Sequence, residues 1–207
     1  MTSKNFARIK YFAVLGVLTA IVLILQFTGT VVRFGGTPVS LVLIPIVFGA
    51  VTLGPAAGAW LGLVFGVEVF WVLGVMGGDP TFTAILFNNA PVATFLICIV
   101  KSTLAGYLAG VVYALICTKN QIVALFAAAA VTPIVNTGVF VIGCFLLHDV
   151  IAANFVSEGV TVVYYILIGL AGVNFLLEFA LNMVVVPALG RIVHVADRML
   201  KNRVKSK

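Results

Sequence analysis

Residues 91–117 read PVATFLICIVKSTLAGYLAGVVYALIC, an apolar run broken by one charge, Lys101. A helix needs about 20 apolar residues to cross a hydrocarbon core roughly 30 Å thick, and this run is long enough. A charge inside such a helix costs about 2.5–3.5 kcal/mol on insertion scales, so it faces a bundle interior, pairs, or serves a pathway. What Lys101 does there decides between a structural and a functional reading of the chain.

Runs of the same kind recur on both sides of this one, at 11–31, 39–53, 56–77, 121–147 and 160–190. With 91–117 they predict an all-α, six-transmembrane-helix bundle, the whole of 1–207 forming a single membrane domain. Composition agrees: 63% of the 207 residues are hydrophobic and 9% charged, where a soluble globule has nearer half and a quarter. The chain is an integral membrane protein. The run from Tyr11 to Val31 follows basic residues as a signal sequence would, but it exceeds the usual apolar core and no A-x-A-like site follows it. It is read as a retained span. Leu53-Gly54-Pro55 predicts a tight turn joining the second and third spans into a hairpin. The breaks at 78–90 and 148–159 are longer and polar, and they suit binding loops.

Ten of the twelve basic residues (Lys4, Arg8, Lys10, Lys119, Arg191, Arg198, Lys201, Arg203, Lys205 and Lys207) fall at the termini or in the turn between the fourth and fifth spans. A six-span path puts all of these on one face, so the positive-inside rule makes both termini cytoplasmic. The basic tail 191–207 suits anionic lipid headgroups. Arg33 is left alone outside and Lys101 alone within the membrane.

Counting about 1.5 Å per residue from the outer ends of the spans puts Lys101 roughly 15 Å, Glu68 roughly 14 Å and Asn136 roughly 16 Å deep. Two readings follow. In one, Glu68 is the ion-pair partner of Lys101; in the other, Lys101 holds a bound anion with Asn136, while Asn88, Asn89 and Arg33 add donors above. Glu178, with Asn174 and Asn182 on its face, counts to about 27 Å, too near the cytoplasm for the same pocket, and is read as an interhelical contact.

Gly58, Gly62 and Gly66 repeat every four residues, as do Ser102, Gly106 and Gly110, and Gly16 with Ala20. Such stripes let helices approach closely, inside the bundle or against a partner. Cys98, Cys117 and Cys144 lie in apolar runs without metal-like spacing and are read as packing residues. No G-x-x-x-x-G-K-[ST], H-E-x-x-H or G-x-S-x-G motif is present. The chain is expected to be no enzyme and to use no cofactor.

The segments PVSLVLIPIVFGAVTLGPAAGAWLGLVFG, DPTFTAILFNNAP, IVKSTLAGYLAGVVY and TPIVNTGVFVIG, in this order, resemble the substrate-binding S component of energy-coupling factor (ECF) vitamin transporters. The likeness runs from Tyr11 to about Pro187. It implies a vitamin-binding subunit that docks on a transmembrane coupling subunit driven by two cytoplasmic ATPases. It further implies docking through an alanine-x-x-x-alanine stripe on the first span, where this chain offers Gly16 and Ala20. For the ligand, Arg33 and Lys101 point to an anion, and Asn88, Asn89 and Asn136 suit hydroxyl and amide groups, which together fit pantothenate. Riboflavin, folate, lipoate or another vitamin stays open. So do a self-sufficient channel or secondary carrier and a structural membrane scaffold.

Overall fold

In a bilayer every backbone polar group must be satisfied within the protein, and this chain does so with helices. The computed structural model describes residues 3–29, 33–34, 37–38 and 41–205; the side chains of 3–4, 6–7, 33–34, 37–38, 189 and 191–205 are outside that description. The reading of the basic tail 191–207 therefore falls outside the described residues.

Helix α1 (Ser3–Gly29) leads to two short antiparallel strands, β1 (Arg33–Phe34) and β2 (Thr37–Pro38), paired Arg33 to Pro38 and Phe34 to Thr37. Then come α2 (Leu43–Leu53), α3 (Pro55–Glu68) with a π-helical extension Val69–Val75, α4 (Thr83–Asn89) and α5 (Pro91–Cys117). The chain continues through α6 (Gln121–Leu146), α7 (His148–Phe155), α8 (Val162–Tyr164), a second π-helical segment Tyr165–Gly172, and α9 (Val173–Lys205).

Among the described residues, five helical stretches are long and apolar enough to cross a membrane: Arg8–Gly29, Pro55–Val75, Pro91–Cys117, Gln121–Leu146 and Val162–Ala188. The second expected span, 39–53, appears as the 11-residue α2, whose rise of about 16 Å is half the hydrocarbon thickness. It is central. Leu43, Ile46 and Val47 are fully buried, and α2 packs against α1, α3, α5, α6 and α9. The expected hairpin turn is present: Gly54 has φ +102°, a conformation that favours glycine, and Pro55 opens α3.

The two polar breaks are partly helical. Before α4, Asp79 Oδ2 accepts from the Thr83 amide at 2.9 Å and the Thr83 hydroxyl at 2.8 Å, while Oδ1 accepts the Thr81 hydroxyl at 2.8 Å. These bonds organise the turn into α4. Helix α7 is held by Ile151, fully buried in a cluster with Phe82, Leu86, Cys144 and Ile166.

The small-residue stripes of α3 and α5 meet each other. A side-chain carbon added at Gly58 would strike the Gly106 carbonyl, at Gly62 the Ser102 carbonyl, at Gly66 the Cys98 carbonyl, and at Gly110 the backbone of Pro55. The two helices thus run antiparallel at backbone contact over about three turns. On α6, Gly143 leaves room for the side chain of Ile97 of α5. Gly16 and Ala20 of α1 are exposed, and a carbon added at Gly16 meets nothing.

Gly62→Ala is expected to destabilise the protein by about 1–3 kcal/mol through overpacking, read as a lower unfolding temperature in detergent. Gly138→Ala, where an added carbon also meets nothing, should leave that temperature unchanged or raise it. Equal tolerance at both positions contradicts the close packing of α3 on α5.

Candidate functional site

A cavity of about 110 Å³ opens between α1, α3, α5, α6, the π-helical segment Tyr165–Gly172 and α9, near the end of the bundle that carries α4 and α7. That is several times the space one buried water needs. Its apolar walls include Phe65, Val69 and Leu73 from α3 and its extension, Phe82, Phe140 and Leu170. Its polar groups are Gln26, Asp79, Thr83, Lys101, Asn136, Thr137, Asn174 and Glu178.

Helix register explains how these residues come together. Ile97 sits in the notch at Gly143; one turn further along α5 and back along α6, Lys101 lies over the Phe140 ring, 5.2 Å from its centroid. Asn136, another turn on, shares the face of Phe140 and Gly143. Lys101 therefore has a cation–π contact on one side and an amide below it. Among the described residues its ammonium joins no ion pair. Asn136 is 5% exposed, and its Oδ1 is buried without a hydrogen-bond partner. Both groups face the cavity with bonding capacity unused by the protein.

Helix α9 completes the opposite wall. Gly190 packs on Leu125, and Val186 joins Ala128 and Ala129 in one cluster. Two turns from there, the antiparallel register sets Glu178 level with Thr137, and Asn174 lies one turn above it. The sequence count had put Glu178 below the pocket level, and the structure corrects this: Glu178 and Asn174 line the cavity. The count failed because the outer ends of the helices are not level. Residues 162–172 begin the last span at a different height from Pro91, which follows α4.

The Lys101–Glu68 ion pair is not formed among the described residues. Glu68 does not line the cavity, and its Oε2 is buried without a hydrogen-bond partner. The reason is rotation about α3: Glu68 lies two residues, about 200°, beyond Gly66, whose face is pressed against α5. Equal depth does not make equal direction.

Of the other sequence-predicted residues, Asn88 and Asn89 end α4 exposed, with Asn89 Nδ2 donating to the Ile85 carbonyl at 2.8 Å. They do not line the cavity, because α4 turns Thr83 and Leu86 inward instead. Arg33 belongs to β1, and its side chain lies outside the described residues. Gln26, Asp79, Thr83 and Thr137 escaped the sequence reading. Gln26 had a signal, as the one amide in an otherwise apolar stretch of the first span. It follows Leu18 and Val22 at four-residue spacing, and all three are buried.

A family model, described as the substrate-specific component of ECF transporters, matches residues 10–190. No curated protein matches the chain, and no solved structure does.

With no ion pair between them, Lys101→Met and Glu68→Gln should act independently on stability. A thermal double-mutant cycle is expected to close within about 0.5 kcal/mol; a coupling well above that restores the ion-pair reading.

Proposed function

Since the chain belongs to the substrate-specific components of ECF transporters, we propose that it is the vitamin-binding subunit of an ATP-driven importer, with pantothenate as its ligand. It is a multi-pass protein of the cell membrane. The observation that carries the ligand proposal is the pairing of Lys101 and Asn136 on one cavity, each with bonding capacity the protein does not use. An ammonium in apolar surroundings favours an anion arriving from water, and a carboxylate forms charge-assisted hydrogen bonds with it. In this proposal Lys101 holds the carboxylate, Asn136 meets the amide or a hydroxyl, and the apolar walls exclude water.

Arg33, Asn88 and Asn89 belong to the mouth of the site in this reading, not to its floor. Both termini face the cytoplasm, as the basic residues there suggest, and the α4 and α7 end faces outward. The whole chain acts as one membrane domain. A transmembrane coupling subunit and two cytoplasmic ATPases supply the energy, and the coupling subunit packs on the exposed Gly16–Ala20 face of α1. The buried face of α1, through Leu18, Val22 and Gln26, serves the core and the cavity.

Lys101→Met is expected to weaken pantothenate binding at least tenfold, measured by titration calorimetry, and Lys101→Arg to weaken it less. Unchanged affinity in Lys101→Met sinks the proposed anion site; tight binding of riboflavin, folate or lipoate with no pantothenate binding replaces the vitamin.

Vesicles holding this chain alone should bind but not accumulate vitamin, and uptake should appear on adding the coupling subunit, the ATPases and ATP. Concentrative uptake by the chain alone favours a self-sufficient carrier. Gly16→Leu with Ala20→Leu is expected to abolish driven uptake and copurification of the coupling subunit, yet hold affinity within about threefold, or roughly 0.6 kcal/mol. Normal assembly of that double variant moves the docking surface to another helix.

A further inference from the structure

An ammonium on the flexible stem of a lysine samples many positions unless something holds it. Among the described residues, no hydrogen bond or ion pair does so for Lys101. Asn136 Oδ1, on the neighbouring turn of α6, is buried without a partner, so it does not take the lysine either. What meets the ammonium is the Phe140 ring, whose centroid lies 5.2 Å from the nitrogen.

Phe140 is itself fixed by other rings. It meets Phe82, at the start of α4, edge-to-face with centroids 5.8 Å apart and planes at 63°. Phe82 is buried and packs on Phe155 of α7 at 5.1 Å, and Phe155 stacks on Tyr165 of the second π-helical segment at 6.1 Å and 14°. This row ties the α6 wall of the cavity to three other elements, and its inner end presents a ring face to Lys101.

A ring face attracts a cation through its quadrupole but offers it no carboxylate oxygen. A protein carboxylate in the same place would pair with the lysine, and an anionic ligand would have to displace it. The ring can fix the ammonium's position and leave its charge for the ligand.

We propose that Phe140 is a positioning residue for ligand recognition, its ring face holding the Lys101 ammonium in the pose that receives an anionic ligand group. This rests on the cavity being the ligand site and on Lys101 being the partner of the anion. The role is electrostatic, so it follows the negative face of the ring and not its volume.

The test replaces Phe140 in the full chain by phenylalanines carrying one, two and three ring fluorines, which nearly keep the ring's shape and weaken its negative face step by step. Two probes are titrated calorimetrically: pantothenate, and pantothenol, which has an alcohol where pantothenate has its carboxylate. Wild-type protein should prefer pantothenate by about tenfold or more, the order of a charge-assisted hydrogen bond. Along the series pantothenate affinity should fall stepwise, by about threefold to tenfold in all, while pantothenol affinity stays within about twofold. A packing role would move both probes together. If both change alike, if neither changes, or if pantothenate binds more tightly as fluorine is added, the positioning role is overturned while the ligand assignment stands. If pantothenate does not bind wild-type protein, or binds no better than pantothenol, the anion site itself fails and takes this inference with it. Should the fluorinated chains not fold, Phe140→Tyr, which keeps the ring face, is expected to retain the preference for pantothenate and Phe140→Leu to lose most of it; equal preference in the two overturns the proposal.

Discussion

The backbone contact between α3 and α5 is the constraint on which the other arrangements depend. Lipid tails are as apolar as leucine, so helices in a bilayer gain little from hydrophobic burial and associate through close packing. Here Gly58, Gly62 and Gly66 lie against Gly106, Ser102 and Cys98 with no side chain between the backbones. Ser102 is fully buried in that seam, its hydroxyl donating to the Cys98 carbonyl at 2.8 Å. Once Ser102 is held, Lys101 must point about 100° away, out of the seam and towards α6. The seam thus aims the charge without touching it.

A second notch, Ile97 in Gly143, sets the height at which that charge meets α6. The Phe140 ring then offers its negative face to the ammonium. This contact is weaker than an ion pair, and in the proposed function it leaves the ammonium's hydrogens for a ligand. A carboxylate of the protein in the same place would hold the lysine more firmly and compete with an incoming anion. Turning Glu68 to the other side of α3 avoids that competition.

Helix α1 separates two roles by the same geometry. Leu18, Val22 and Gln26 repeat every four residues and face inward, Gln26 reaching the cavity. Gly16 and Ala20 lie on the exposed side of the helix. Trp60 of α3 ties the two helices by donating its indole N–H to the Thr19 hydroxyl at 3.3 Å. The helix thus contacts the cavity on one face and leaves a strip of small residues on the other.

The membrane class, the helical fold, the Gly54 hairpin and the common level of Lys101 and Asn136, which line one cavity, were all legible in the sequence. Each follows from local quantities: run length, turn chemistry, and distance counted along one helix from its end. The small-residue stripes were legible as well, though not which stripe met which. The short helices α4 and α7, the inward place of Glu178 and Asn174 and the absent Lys101–Glu68 pair were not. Counting along a helix yields depth, but not the rotation that points Glu68 away from α5 or the unequal heights at which the last span and α5 begin. Rotation and height are set by neighbouring helices, and the contacts that set them join residues distant in the chain. The sequence by itself thus determined which residues are forced into the bilayer, since that depends on solvation alone; which of them face one another was decided by packing between helices.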